Sequence, residues 1–105
     1  MSSRENRPKS SLLAGGIKLR LFIAGNESNS VQARKNLQEF CRERFGSVCE
    51  WEEIDVLENP MAALKEQILV TPTLEVRTHG RESRVLVFGS LTDRDRLEAA
   101  LPIEE

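Results

Sequence analysis

The sequence predicts a single α/β domain in which the elements follow the order strand, helix, strand, helix, strand, strand, helix. A chain of 105 residues can build one hydrophobic core but not two. The segment from Ile17 to Ala24 alternates apolar and polar residues, which is typical of a strand with one buried face. The segment after it repeats apolar residues at helical spacing, and shorter segments of both kinds follow. These patterns indicate mixed secondary structure around one core.

An amphipathic helix is predicted after the first strand. Asn29 has the position of an N-cap with Gln32 three residues later, and Phe45-Gly46 ends the helix. The predicted inward stripe of this helix consists of Ala33, Leu37, Phe40 and Cys41. Val48 to Val56 is then predicted to be a second, less regular strand at an edge of the sheet. A right-handed crossover through the helix would pair the two strands in parallel.

The second half of the domain predicts a short helix and a hairpin. Asn59-Pro60 can start a helix that continues to Gln67, because proline is well tolerated at the first helical position. Thr73 to Arg77 and Val85 to Phe88 are predicted to be short strands joined by a turn that contains His79-Gly80.

The last predicted element is a helix that begins after Thr92. Thr92 has the position of an N-cap with Asp95 three residues later, and Pro102 stops the helix. Its predicted inward stripe consists of Leu97, Ala100 and Leu101. The domain is therefore expected to span residues 17–103, and Met1 to Gly16 is expected to be a disordered tail.

The composition excludes several classes of partner. The 15 Lys and Arg residues nearly balance the 17 Asp and Glu residues, which gives no global attraction to nucleic acid or to an anionic membrane. No apolar run approaches the roughly 20 residues that a membrane helix needs, and the N-terminus lacks the core of a signal peptide. We therefore expect a cytoplasmic protein.

The two cysteines do not match a known functional spacing. Cys41 and Cys49 lie eight residues apart, which fits neither a C-x-x-C redox pair nor a zinc pattern. A disulfide is not expected in a cytoplasmic chain. The sequence predicts two small buried residues, with a regulatory thiol as the alternative, and it predicts no metal and no cofactor.

The element order is the thioredoxin-like arrangement βαβαββα. The sequence of residues 17–97 closely resembles the KaiB family of circadian clock proteins. The segments that carry this resemblance are Leu19 to Asn26, Asn29 to Ala33, Ile54 to Pro60, Ile68 to Leu74 and Gly89 to Arg94.

The resemblance implies a non-enzymatic adaptor without catalytic residues. Members of this family bind a KaiC-type hexameric ATPase, and KaiA-like proteins or histidine kinases are further candidate partners in circadian or stress-related signalling. The second strand and the helix after it are the implied partner surface. Its residues here are Trp51, Glu52, Asp55, Leu57, Glu58, Asn59, Pro60, Met61 and Lys65. Trp51 can be either a core residue or an interface anchor.

The family also has two folds, a tetramer-forming ground state and a thioredoxin-like state that is a monomer or weak dimer. Clock-type members often have Gly-Leu-Asp where this chain has Ala100-Leu101-Pro102, and alanine is favoured over glycine in a helix by roughly 1 kcal/mol. We therefore predict that this chain rests in the thioredoxin-like state. The residues implied in fold choice or in structure are Gly25, Thr71, Pro72, Gly89, Asp93, Ala100 and Pro102.

Thr71-Pro72 stands where thioredoxin-like folds have a cis proline, so a cis bond is expected, with a trans turn as the alternative. Two other functions remain open. The chain could be a stand-alone relative of the sensor domain of the SasA kinase. It could also be a divergent thioredoxin-like oxidoreductase, although the segment Gly25 to Ser30, where such enzymes keep their thiols, contains no cysteine.

Overall fold

The computed structural model describes residues 17–46, 49–78 and 83–101. It contains the seven predicted elements in the predicted order: β1 (Ile17–Ile23), α1 (Ser28–Phe45), β2 (Glu52–Asp55), α2 (Pro60–Glu66), β3 (Thr73–Thr78), β4 (Arg84–Phe88) and α3 (Arg94–Ala100). The expectations for the N-terminal tail, the hairpin turn and the proline after α3 concern residues outside the described ranges, namely Met1 to Gly16, His79-Gly80 and Pro102.

The four strands form one sheet in the order β2-β1-β3-β4. The central strand β1 pairs in parallel with β2 and antiparallel with β3, and β3 pairs antiparallel with β4. The predicted parallel crossover through α1 is therefore confirmed. β2 and β4 are the two edges of the sheet.

The alternation of β1 divides the sheet into two different faces. Its odd-numbered residues from Ile17 to Ile23 belong to one core cluster with α1 and α3. The predicted inward stripes of both helices are buried in this cluster. On the opposite face, Arg20 forms an ion pair with Glu66 of α2, so α2 lies on this side of the sheet.

The predicted inward-facing residues of α1 and α3 are correct, but the predicted N-caps of both helices are wrong. The cap of α1 is Glu27 rather than Asn29, and its side chain accepts a hydrogen bond from Ser30 N at 3.3 Å. The cap of α3 is Asp93 rather than Thr92, because the Asp93 carboxylate accepts hydrogen bonds from the second and third backbone N–H groups of the helix. Each acidic cap also lies at the positive end of its helix dipole.

The strand β2 is shorter than the predicted segment Val48 to Val56. Its pairing with β1 begins at Arg20 and Glu52. Cys49 is buried against α1 by a disulfide, so the chain reaches the sheet edge only after Trp51. Val48 lies outside the described residues.

The prediction of two unlinked cysteines is wrong, because Cys41 and Cys49 form a disulfide. Their Cα atoms are 5.7 Å apart, within the range that a disulfide can bridge. The crossover explains the proximity of the two cysteines: Cys41 lies one turn before the end of α1, and after Phe45 the chain must turn back to run parallel to β1. Cys41 does lie on the buried face of α1, as predicted.

A fully buried carboxylate links three strands on the α2 side of the sheet. Glu75 of β3 accepts hydrogen bonds from Arg20 Nε of β1 at 2.6 Å and from Arg84 Nη1 of β4 at 2.7 Å. Arg77 Nε lies 3.3 Å from the same carboxylate. Burial alone would raise the pKa of Glu75, but the three guanidinium groups outweigh it and lower the pKa from 4.5 to about 2. The contact with Glu75 in turn raises the pKa of Arg20.

The Thr71-Pro72 bond is cis, as expected, and Gly25 and Gly89 adopt positive φ angles. Ala100 is buried at the end of α3, and this segment is helical in the structure. Among the described residues, no helix is long and apolar enough to cross a membrane.

We expect that replacing both cysteines by alanine lowers the free energy of unfolding by about 2.5 kcal/mol, because the disulfide restricts the unfolded chain over a separation of eight residues. Chemical denaturation of the oxidised protein and of the double variant measures this difference. A reducing agent should lower the denaturation midpoint of the unsubstituted protein and leave the midpoint of the variant unchanged. Two reactive thiols in the oxidised native protein would contradict the assignment.

We expect Glu75→Gln to lower the free energy of unfolding near neutral pH by about 3 kcal/mol. Because the folded-state pKa is depressed, this stabilisation is fully present above pH 4.5 and is lost as the pH falls toward about 2. The variant should therefore lose this acid-dependent decline. Glu53→Gln is the matched control, since Glu53 pairs with Arg34 in a more exposed position. Parallel acid-dependent curves for both variants would contradict the prediction.

Candidate partner-binding surface

Asp55 connects the end of β2 to the loop after β1. Its Oδ1 atom accepts hydrogen bonds from Gly25 N at 3.1 Å and from Leu57 N at 3.0 Å. Gly25 has a φ of 57°, and a Cβ atom there would lie 3.3 Å from Leu57 Cδ1. Asp55 and Gly25 therefore fix the position from which the chain enters α2.

The helix α2 spans Pro60–Glu66 and is capped by Gln67, which adopts a left-handed conformation. The predicted helix start at Asn59-Pro60 is confirmed, although the Asn59 side chain makes no capping hydrogen bond. None of the helical residues is buried. The helix is instead held through Glu66, which forms ion pairs with Arg20 at 3.1 Å and with Arg84 at 3.4 Å and accepts at its backbone oxygen from Arg84.

The turn into α2 and the helix itself expose three large apolar side chains, which we call the α2 patch: Leu57, Met61 and Leu64. They are 70%, 67% and 69% exposed. Leu64 follows Met61 at the spacing i, i+3, so the two side chains lie on one face of the helix. A group of exposed apolar side chains on a small domain is a common feature of protein interaction sites.

Most residues of the predicted partner surface lie at the surface. The exposed ones are Glu52, Leu57, Glu58, Asn59, Pro60, Met61 and Lys65. Trp51 and Asp55 are half-buried. Trp51 packs against the core, and its Nε1 donates to Glu53 Oε1 at 3.2 Å, so it acts at least partly as a core residue.

Sequence reasoning missed Leu64. The spacing between Met61 and Leu64 was visible in the sequence and could have identified both as one helix face. An apolar helix face is ordinarily assigned to the core, however, and only the ion pairs of Glu66 show that the opposite side of α2 contacts the sheet.

The charges near the α2 patch are mainly negative. Glu52 and Glu58 are exposed on either side of the turn into α2, and Lys65 supplies a positive charge at its end. Such a surface can bind a partner that combines apolar and cationic side chains. In the described ranges, no cluster of His, Cys, Asp and Glu is arranged to hold a metal ion.

The position of a thioredoxin thiol pair is occupied here by the Gly25 loop and the Glu27 cap. The disulfide lies elsewhere, between the later part of α1 and the segment before β2. Both of its cysteines are buried. The arrangement therefore differs from a redox site at the start of a helix.

Comparison with known sequences places these features in a family. The family model described as KaiB domain matches residues 20–103. The circadian clock oscillator protein KaiB of Trichodesmium erythraeum is 37% identical over 91 residues, which cover 81% of this chain and 80% of that protein. The protein of the same name from Microcystis aeruginosa is 38% identical, with the same shares covered.

Comparison with solved structures identifies the fold. Chloroplastic thioredoxin z matches with a TM-score of 0.64 and 20% identity, covering 80% of this chain and 74% of that one. Mitochondrial thioredoxin 3 from Saccharomyces cerevisiae matches with a TM-score of 0.63 and 16% identity, covering 81% and 76%. The predicted thioredoxin-like α/β fold is confirmed.

We expect Asp55→Ala to lower the free energy of unfolding by about 2 kcal/mol, because two backbone N–H groups lose a charged acceptor. Glu58→Ala, which removes an exposed carboxylate three residues later, should change it by less than about 0.5 kcal/mol. Thermal and chemical denaturation of both variants test this difference. Equal stability of the two variants would show that Asp55 does not organise the entry to α2.

Proposed function

This chain belongs to the KaiB family, and on that premise we propose that it is a non-enzymatic adaptor that binds a KaiC-type ATPase ring. Two curated relatives bear the name circadian clock oscillator protein, which supports a role in circadian or related stress signalling. The observation that carries the proposal is the α2 patch, because it exposes three large apolar side chains beside the residues that the family resemblance implies. We also propose a cytoplasmic location, in which the burial of Cys41 and Cys49 would limit the access of reductants to their disulfide.

The contacts of α2 support a binding role for this surface. The helix reaches the sheet through the charged side chain and the backbone oxygen of Glu66, while Met61 and Leu64 contribute little to the core. Exposed apolar side chains lower the solubility of a protein. Covering them with a partner contributes about 25 cal/mol to the free energy of binding for each Å² of apolar surface removed from water. The α2 patch would form the centre of the interface, and Glu52, Glu58 and Lys65 would form its polar rim.

The thioredoxin-like state is the form proposed to bind. In the structure, Leu97 and Leu101 are buried with Ala100, so the helical form of this segment contributes to the core. This packing and the helical preference of alanine both support the prediction that the chain rests in this state. KaiA-like proteins and histidine kinases remain candidate further partners.

We expect the double variant Met61→Asp with Lys65→Glu to weaken binding to a KaiC-type ring by at least about tenfold, because it places a charge in the apolar centre and reverses a charge at the rim. The measurement is titration of the ATP-assembled ring with the labelled protein. Its midpoint of thermal unfolding should change little, since both side chains are exposed.

The matched control is Val31→Asp with Lys35→Glu. These residues have the same spacing on α1, and both are exposed. The control variant should bind the ring like the unsubstituted chain. If the α2 variant binds as well as the control, the α2 patch is not the docking surface. If the unsubstituted chain does not bind the ring at all, the proposed function is wrong.

A further inference from the structure

The disulfide joins two parts of the chain that are held to different extents. Cys41 lies on the buried face of α1, a helix of 18 residues. Cys49 lies in neither a helix nor a strand, because β2 and its pairing with β1 begin only at Glu52. Cys41 is fully buried, whereas Cys49 is 4% exposed. The disulfide therefore ties an irregular segment to a long helix, and Cys49 is its more accessible end.

The segment tied down by the disulfide carries Trp51, the only tryptophan of the chain. Trp51 is half-buried and packs against the core, and a groove of about 270 Å³ lies beside it, next to Lys18 and Glu52. Two thiols need more space than one disulfide, and a close-packed core has little space to spare. Breaking the bond would therefore move Cys49 outward, and Trp51 with it.

Polar contacts connect Trp51 with the loop before α1. Trp51 Nε1 donates a hydrogen bond to Glu53 Oε1 at 3.2 Å. The other carboxylate oxygen, Glu53 Oε2, accepts from Arg34 Nε at 2.8 Å. Arg34 Nη2 in turn donates to Gly25 O at 3.4 Å. A displacement of Trp51 therefore changes the partners of Glu53 and, through Arg34, the support of the Gly25 loop.

The Gly25 loop also fixes the start of the α2 patch. Gly25 N and Leu57 N both donate to Asp55 Oδ1, at 3.1 and 3.0 Å. Leu57 is the first residue of the α2 patch, and its Cδ1 atom lies close to Gly25. We call the series Trp51, Glu53, Arg34, Gly25, Asp55 and Leu57 the polar path. It extends without interruption from the segment of Cys49 to the α2 patch.

We propose that the disulfide between Cys41 and Cys49 is a redox-sensitive switch, in which reduction by a dithiol releases Trp51 and weakens binding at the α2 patch. Disulfides in the cytoplasm are rare and, where they occur, are usually redox-sensing or catalytic. The position of this pair, away from a helix start, does not favour catalysis. The effect on binding rests on the proposed function, whereas the release of Trp51 does not.

The reaction is a two-electron thiol–disulfide exchange. A thiolate of the dithiol attacks Cys49 Sγ and forms a mixed disulfide, while Cys41 leaves as a thiolate and takes up a proton. The second thiolate of the dithiol then attacks its own bonded sulfur and releases Cys49, which is also protonated. The protein gains two electrons and two protons, and the dithiol becomes a disulfide. The same steps in reverse reoxidise the protein.

Burial controls the rate of this reaction. A dithiol reaches Cys49 Sγ only when the segment of residues 49–51 opens locally. This segment precedes the first paired residue of β2, so its opening leaves the sheet intact. The switch is therefore expected to respond to sustained reducing conditions rather than to brief changes.

The fluorescence of Trp51 tests the first step. We expect excess dithiothreitol under native conditions to reduce the disulfide completely, as measured by counting thiols after acid quenching. The emission should rise and shift to longer wavelength, because Trp51 separates from the disulfide and becomes more exposed. The double variant Cys41→Ala with Cys49→Ala should have the spectrum of the reduced protein and should not respond to dithiothreitol.

Hydrogen exchange tests the far end of the polar path. The amides of Gly25 and Leu57 should exchange at least about fivefold faster in the reduced protein than in the oxidised protein. Glu53→Ala interrupts the path, so in this variant the two redox states should exchange at the same rate. Glu50→Ala is the matched control, since it removes an exposed carboxylate outside the path and should keep the difference.

Titration of the ATP-assembled ring tests the effect on binding. The oxidised protein should bind at least about fivefold more tightly than the reduced protein or the double cysteine variant. Glu53→Ala should bring the ratio between the two redox states close to one, and Glu50→Ala should leave it unchanged. The double cysteine variant also controls for any effect of dithiothreitol on the ring itself.

A disulfide that dithiothreitol reduces only after denaturation would be purely structural and would overturn the proposal. Equal exchange of the Gly25 and Leu57 amides in both redox states would also overturn it, as would equal affinity of both states for the ring. If neither state binds the ring, the proposed function is wrong. The fluorescence and amide exchange then still decide whether the switch exists, so the two proposals can fail separately.

Discussion

The position of α2 depends on one network of charges. The helix that carries the proposed docking surface has no fully buried residue, so its position depends strongly on polar contacts. Glu66 is instead joined to Arg20 and Arg84, and these arginines are in turn fixed by the buried carboxylate of Glu75. Each charge in this network has an opposite charge nearby, which compensates for the cost of taking it out of water. The network lies on the sheet side of α2, where Glu66 is, and the opposite face with Met61 and Leu64 stays exposed.

The two layers of the domain are therefore stabilised differently. On the α1 and α3 side, the odd-numbered residues of β1 form a conventional apolar core, and the disulfide links α1 to the segment before β2. On the α2 side, ion pairs take the place of much of the apolar contact. Large apolar side chains that ordinarily form a core, such as Met61 and Leu64, are consequently available at the surface. A fold that is shared with thioredoxins thus exposes the proposed interaction surface next to a loop that contains no thiol.

The exposed apolar residues also form two separate surfaces. The α2 patch projects from a helix and has an acidic rim, which suits a partner that supplies apolar and cationic side chains. The edge of β4 offers backbone groups as well as side chains, which suits an extended strand.

The sequence by itself determined the element order, the parallel crossover, the inward stripe of α1, the start of α2 and the family, because each follows from local periodicity or from short ordered motifs. It gave the wrong helix caps, since several polar residues next to each helix could accept the same hydrogen bonds, and the backbone geometry selects among them. Only the tertiary structure decided the pairing of Cys41 with Cys49, the burial of Glu75 and the exposure of Leu64. Glu75 lies between Leu74 and Val76, and its arginine partners on β1 and β4 become neighbours only when the sheet forms. These features depend on residues brought together by the fold, so no local pattern could specify them.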